Sequence, residues 1–443
     1  MTEKKQNGPA RHRPFGAYLP KTDSRTKDST VQGSIIIVGA GITGLAAAEW
    51  LRRDGWTTTL IDPVHPGSSE QTSYGNAGLL ARASIMPVAS ASLVRKAPAM
   101  LLNPESPLYL RWSYLPRLLP WLIPFYRNLS PDRVAPISQA LSQITFDTNE
   151  QHLALARGTP AERHICSGSL VTLFQNRDEY ESDTLTIETR KRYGLVPATL
   201  TREELMERDP NLGPQYGFGT VFEDYKWLSS PADYMADLFG FHLSEGGSFR
   251  QGRVSDMTPG SRPSVTLEGG EILTADKIVL TAGVWSGPLA KKLGIRMRLV
   301  AERGYHVVLK NPAFTAPQPY MVTDAKIVLT PMQDALRGAG VVEFAGIDAP
   351  PAKAPVDLIT AAIKRVYPDL EIGETESWMG RRPTTPDSLP VVGEASGAVN
   401  ILHAYGGQHI GLTIGPKLGR IVADLAAGRR PNMDLWAYSV DRF

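Results

Sequence analysis

Apolar positions follow three patterns along this chain. The first is a short run bounded by glycine. At 34–38, SIIIV, four of five residues are aliphatic, which predicts a buried parallel strand. A helical spacing follows from Thr43 to Arg53, with Ala46, Ala47 and Ala48 small enough to lie close on that strand. Gly55 stops the helix, and 56–61 predicts a second strand ending on Asp62. Further short runs at 168–174, 249–257, 264–267, 277–281, 305–309 and 341–345 are strand candidates. The second pattern is the helical period itself. It recurs through much of 130–192, at 200–209 and 420–427, and at 231–245, where Met235, Leu238, Phe239 and Leu243 share a face. The third pattern, at 108–126, is dense in Leu and aromatics and interrupted by Arg111 and Arg117. Pro116, Pro120 and Pro124 are expected to break any long helix there, so the segment cannot span a bilayer. It suits either an exposed apolar patch resting on a membrane or another subunit, or internal packing.

The polar stretches carry the chemistry. Gly39, Gly41 and Gly44 form G-x-G-x-x-G between the first strand and helix. Such glycines permit a tight turn, close approach to a pyrophosphate and close helix–strand packing, with the helix N-terminus facing the phosphates. Asp62, ending the second strand, falls where a carboxylate would meet an unphosphorylated ribose. The unit predicts a dinucleotide site. The loop PVHPGSSEQTSYGNAGLL that follows is long for a compact domain, and Thr72, Ser73 and Asn76 could reach a second part of the ligand. Small-residue turns at 281–286 (TAGVWS) and 404–415 (AYGGQHIGLTIG) permit further backbone approach, and WMGRRPTTPDSLPVVG is expected to be a rigid loop fixing a guanidinium for a substrate carboxylate.

At 443 residues two domains are expected, and 42% apolar with 21% charged residues describes an ordinary soluble protein. A net charge of +2 gives no reason to expect nucleic acid. The lone Cys166 excludes an internal disulfide and a cysteine-based metal site, and the eight histidines show no ligand spacing, so no metal is expected. Cytosol is the simplest compartment, with the inner face of the cytoplasmic membrane a second location if 108–126 rests there. No signal peptide is expected. Residues 1–33, basic and nearly aperiodic, read as a flexible arm.

Taken together, VGAGITG with Asp62, TSYGNAG, LTAGVWS, GRRPTTPDSLPVVG and GGQHIGLTIGPKLGR resemble, in order, the FAD-dependent D-amino acid oxidase superfamily. SYGNAG, AERGYHVVL and the segment leading into 108–126 resemble its bacterial D-amino acid dehydrogenase branch (small-subunit type). The resemblance implies an α/β fold. A Rossmann-like, glutathione-reductase-like FAD-binding domain (34–90, 200–295, 376–443) would carry an inserted mixed-sheet α+β substrate domain (91–199, 296–375).

Non-covalent FAD would be held by Gly39, Ala40, Gly41, Ile42, Thr43, Gly44, Asp62 and Pro63. Thr72, Ser73, Asn76, Ala77, Gly78, Leu79, Val254, Ala282, Gly283 and Trp285 would extend the site. Gly406, Gly407, Gln408, His409, Ile410, Gly411, Leu412 and Thr413 would complete it. Arg382 would take the substrate carboxylate, beside Arg381, with Tyr305, His306 and His409 as further catalytic candidates. The implied activity is oxidative deamination of a D-amino acid, or a related imino acid, to a 2-oxo acid, with electrons passed to a quinone or other carrier. The alternative is a glycine-, sarcosine- or proline-type oxidase using O2 and releasing H2O2. An NAD-dependent dehydrogenase and a flavin-binding module without turnover are the readings from other classes.

Overall fold

The computed structural model describes residues 32–88, 91–103 and 106–443; of the arm expected at 1–33, all but the last two positions lie outside the described residues. Strand β1 (Ser34–Val38), helix α1 (Ile42–Arg53) and strand β2 (Thr57–Asp62) form where the apolar pattern placed them. β1 pairs in parallel with β2 on one side and with Lys277–Leu280 on the other. This trio is the centre of a six-stranded sheet in the order Val391–Glu394, Ile401–Tyr405, Lys277–Leu280, β1, β2, Ser248–Gln251. Only the first pair is antiparallel. Both faces of the sheet are covered, which is why its central strands read as unbroken aliphatic runs. On one side lie α1 and the C-terminal helix Gly411–Ala426. The alanines of α1 expected against the strand meet this helix: a Cβ on Gly419 would lie 2.6 Å from Ala47 N. On the other side, Met257, Val265 and Leu267 of a three-stranded antiparallel sheet share a core with Ile36, Val38 and Ile61.

A ten-stranded mixed sheet forms the second body. Its path runs Thr375–Thr384, Val300–Lys310, Ala335–Phe344, Ile327–Met332, Tyr320–Val322, Ile165–Phe174, Phe218–Leu228 and Leu79–Leu80, with two short strands attached at the side. Helix Ala354–Val366 buries Ile359 and Ile363 in the core beneath it. The sheets do not divide at the sequence boundaries. Phe218–Leu228, expected on the dinucleotide side, pairs with Ile165–Phe174. Helices Pro131–Thr145 and Thr148–Ala156, expected on the substrate side, share a core with α1 and the C-terminal helix. Such long-range partnerships leave no mark on local periodicity.

Three local expectations are corrected. The run 249–257 is two strands in different sheets, Ser248–Gln251 and Val254–Thr258. The segment WMGRRPTTPDSLPVVG is not a loop throughout, since Arg381, Arg382 and Pro383 lie in strand Thr375–Thr384 at the sheet edge, where a missing N–H is tolerated. Finally, 115–127 is one helix in spite of its prolines. Pro116 occupies the first turn, where no N–H is needed. Pro124 leaves the carbonyl of Pro120 without its helical donor, and Arg298 Nη1 supplies one at 3.1 Å.

Candidate active site

A cavity of about 1780 Å³ is lined from both large sheets. At one end it meets the first turn of α1. Gly39 has φ +102°, and a Cβ there would lie 2.6 Å from the carbonyl oxygen of Thr281; one on Gly44 would lie 1.9 Å from that of Gly39. The turn therefore closes only with glycine at both positions. Gly41 has no side chain to cap α1 and the first turn holds no acidic residue, so apart from the Ile42 N–H the positive end of the helix is open to the cavity, as a pyrophosphate requires. Asp62 accepts from the N–H groups of Ala40 at 2.7 Å and Val64 at 3.1 Å, and burial raises its pKa despite these bonds. Ser73 Oγ accepts from Ile42 N at 3.2 Å, drawing the following loop onto the helix start.

The far end is built by the C-terminal helix, which also begins without a side-chain cap or a first-turn acid. Before it, Gln408 sits at φ +50° and is buried against the cavity, and its Oε1 has no partner among the described residues. An orphaned acceptor, two helix starts and the Asp62 carboxylate in one cavity fit a dinucleotide-sized, hydrogen-bonding ligand.

Most of the expected cofactor set reaches the cavity wall: Gly39, Gly41, Ile42, Thr43, Asp62, Pro63, Thr72, Ser73, Asn76, Ala77, Val254, Ala282, Gly283, Trp285, Gly406, Gly407, Gln408, His409, Gly411 and Leu412. Six do not, and each has another task. Ala40 donates to Asp62, and Gly44 packs under Gly39. The Gly78 carbonyl accepts from Leu228 N, and Leu79 pairs with Trp227. Ile410 is core, and the Thr413 hydroxyl accepts from Ala81 N at 3.1 Å.

Arg382 lies at the cavity wall in a clamp. Its Nη1 donates to Glu302 Oε1 at 2.9 Å and to the Val341 carbonyl at 3.0 Å, and Nη2 donates to the Gly340 carbonyl at 3.3 Å. Its Nε makes no hydrogen bond among the described residues. Glu302 is only 2% exposed, and its second oxygen accepts from Thr384 Oγ1 at 3.3 Å. Val341, a β-branched residue, is held at φ +61° where the register between Val300–Lys310 and Ala335–Phe344 shifts, and this bulge turns its carbonyl to the guanidinium. The guanidinium lies across Gly304, where a Cβ would fall 2.3 Å from Cζ. Arg381 also lines the cavity, its Nε donating to the Ile347 carbonyl at 2.7 Å, while its own carbonyl accepts from Thr72 Oγ1.

The other catalytic candidates separate. His409 stands at the cavity wall with surface open to the cavity; desolvation by the surrounding protein lowers its pKa, with Glu302 opposing the shift and Arg382 adding to it. His306 is not on the wall: it is buried, its Nδ1 is 3.0 Å from the Gly75 carbonyl, and its ring stacks on Trp378. Burial, then the charge of Arg337, lowers its pKa to about 3. Tyr305 is among the wall residues, but its side chain packs with Val307 and Leu309 in the core under the second sheet, and its hydroxyl donates to Glu343 and accepts from Arg303 Nη2 and Ala352 N. Successive residues of a strand face opposite ways, so these neighbours could not both have faced the substrate. Sequence reasoning left Glu302 unassigned. A charged residue inside the apolar strand pattern at 300–309 was the available signal. Trp121, Val341 and Phe344 were also unassigned, and only the tertiary structure brings them to the wall.

A parallel-sheet dinucleotide fold, an open helix start and an arginine clamp on a second sheet together describe a flavin-type oxidoreductase. The chain belongs to the DAO family of FAD-dependent oxidoreductases, whose family model matches residues 34–425. It is 34% identical over 416 residues to a D-amino-acid oxidase of Bradyrhizobium diazoefficiens, covering 92% of this chain and 98% of that protein. It is 28% identical over 431 residues to a D-amino acid dehydrogenase of Paramagnetospirillum magneticum, with the same coverage. Among solved structures, glycine oxidase from Geobacillus kaustophilus superposes with a TM-score of 0.70 at 20% identity, covering 93% of this chain and 99% of that one.

Proposed function

We propose that this enzyme oxidises the C–N bond of a D-amino acid, or a related imino acid, giving an imine that water hydrolyses to the 2-oxo acid. The observation that carries the reading is the Arg382 clamp, which leaves Nε unpaired on the wall of the same cavity that α1 enters. When bound, non-covalent FAD supplies the two-electron acceptor. The first turn of α1, Asp62, Ser73 and the backbone at 406–412 would hold it. Arg382 takes the α-carboxylate through its Nε edge, while Glu302 and the carbonyls of Gly340 and Val341 keep the guanidinium from turning. Substrate must react as the free amine, so its ammonium proton leaves first. A nitrogen of His409, its imidazole biased toward the neutral form, is the acceptor at the wall.

Two acceptors for the electrons have support. The 34% identical D-amino-acid oxidase favours O2. Leu119 and Ile123 of Leu115–Arg127, exposed off the cavity wall, with Trp112 and Tyr126 exposed on it, favour a quinone or other carrier reached at a membrane surface. Among the described residues no helix is long and apolar enough to cross a membrane, so contact there would be peripheral.

Anaerobic mixing of the purified yellow protein with D- and L-amino acids tests the reaction. Bleaching by D isomers is expected. Faster bleaching by L isomers, or none by any amino or imino acid, would sink the reading. Comparing reoxidation by air with reoxidation by a quinone analogue then decides the acceptor.

A further inference from the structure

Arg337 is a buried cation that the proposed reaction does not use. It lies in strand Ala335–Phe344, is 8% exposed and makes no salt bridge among the described residues. Burial lowers its pKa to about 10, which leaves it charged at neutral pH. Its Nε has no partner among the described residues, while Nη1 donates to two carbonyls of the loop that follows Asp62, that of Asn76 at 2.7 Å and that of Tyr74 at 3.3 Å. A trans peptide is planar, with its N–H opposite its C=O, and the described chain has no cis bond. Drawing the Tyr74 and Asn76 carbonyls to Arg337 therefore turns the N–H groups of Gly75 and Ala77 away from it. Both residues line the cavity, and neither N–H finds an acceptor among the described residues. The amides around them are satisfied: Tyr74 N donates to the Gln71 carbonyl, Asn76 N to that of Ser73 and Gly78 N to Asn76 Oδ1. The intervening peptide is held as well. The Gly75 carbonyl accepts from Nδ1 of His306, neutral at its depressed pKa, and the Trp378 indole fills the space beside Gly75, where a Cβ would fall 2.0 Å from Cε3. Ser73 ties one end of this loop to the start of α1 and Ala81 ties the other to Thr413 of the C-terminal helix, so 74–77 runs between the two ends of the cavity.

We propose that Arg337 is a positioning residue: it aims the Gly75 and Ala77 N–H groups into the cavity as a pair of donors for the flavin ring, and this pair, backed by the arginine's own charge, raises the reduction potential of the bound cofactor. The inference rests on the cofactor placement proposed above. Reduction brings negative charge onto the ring, and fixed donors with a positive charge behind them favour the reduced form over the oxidised one. A buried cation acts over several ångströms in a low-dielectric interior, and no carboxylate among the described residues lies within ion-pair distance of Arg337 to cancel it. The two unpaired amides point the same way, since a backbone donor withdrawn from water without an acceptor is costly and a ligand atom removes that cost.

Equilibrium reduction of the flavin-loaded protein against a reference dye reads the potential directly and needs no substrate. Arg337→Met is expected to shift the equilibrium toward oxidised flavin by about tenfold or more, about 30 mV for a two-electron couple. Arg337→Lys, which keeps the charge, should recover more than half of that shift. An arginine that only braced the loop would change the melting temperature of the variants and leave the potential in place. An unchanged potential in Arg337→Met therefore overturns the inference, and so does a weakened FAD affinity with the potential unchanged, which would put the two donors on the phosphates. The unaltered protein supplies a second readout that does not depend on how either variant folds. Loading FAD should slow amide exchange across 74–77 about tenfold more than across Ala198–Thr201, a strand away from the cavity wall. Equal slowing of the two segments would overturn the inference. Either failure leaves the proposed reaction standing as long as some amino acid bleaches the flavin, whereas bleaching by none removes the reaction and leaves the potential to be read.

Discussion

Arg382 has five N–H donors, and the protein occupies three of them, on Nη1 and Nη2. A guanidinium fixed in this way loses little freedom when it meets a carboxylate. Arg382→Ala should lower kcat/KM by roughly 3 kcal/mol, about a hundredfold, through the lost charge-assisted bonds and orientation. Arg382→Lys should recover only part of this, because a point charge cannot reproduce the fork. Steady-state kinetics of the two variants checks both statements. The same geometry makes Gly304 restrictive. An alanine there would collide with a guanidinium that Glu302 holds in place, so Gly304→Ala should raise KM well before it lowers the melting temperature. A loss of stability with KM unchanged would contradict that account.

At the scale of elements, α1 is tied to helix Pro231–Ser244 by a buried ionic cluster. Glu49, fully buried, pairs with Arg52 at 2.8 Å, Arg53 at 2.7 Å and His242 at 3.1 Å. Burial by itself would raise the Glu49 pKa, but the His242 and Arg52 hydrogen bonds and the Arg53 charge lower it from the ordinary 4.5 to about 2. A carboxylate depressed in the folded state stabilises fully above its unfolded value and ceases to do so as pH falls through its folded value. The cluster's contribution, on the order of 3 kcal/mol, should therefore be present above about pH 4.5 and be lost between there and about pH 2. His306 acts in the same direction, since its pKa of about 3 against an ordinary 6.5 costs stability progressively below pH 6.5. Urea unfolding across pH 2–7 should show both, and Glu49→Gln should flatten the slope below pH 4.5. The proline-bearing helix makes a further case: Arg298→Ala should loosen Leu115–Arg127 by removing the donor to Pro120, measurable as faster amide exchange there.

For the whole molecule, the cavity joins two sheets that the chain crosses repeatedly, so a cofactor spanning it couples their stability. FAD at about 1000 times its Kd should add about 4 kcal/mol to unfolding, and stripping it should lower the melting temperature by several degrees. A melting temperature indifferent to added FAD would contradict a site that bridges both bodies.

The residues near β1 were legible because their chemistry is local. A buried aliphatic strand, three spaced glycines, a helix and a terminal acid lie within 29 consecutive residues, although the carbonyls of Val38 and Gly39 also accept from Thr281 far along the chain. The reacting end was only partly legible. Two arginines before a proline stood out, and the resemblance pointed to Arg382, but its strand setting, its pairing with Glu302 across 80 positions and the bulge at Val341 depend on register between distant strands. Tyr305 and His306 looked equivalent in ERGYH, and the alternation of one strand sent them to different surroundings. Trp121, Phe125 and Phe344 carried only an apolar signal, which is the same for packing, membrane and pocket. The chain's own order of residues thus determined the dinucleotide turn and the strand–helix–strand unit, because these lie within one short stretch, while FAD was indicated by the resemblance that segments spread over the whole chain carry together. Only the tertiary structure decided which arginine is clamped, which aromatic rings face the cavity and how wide it is. Those properties arise where segments up to 374 positions apart in the sequence, from Val38 to Leu412, are brought against one space.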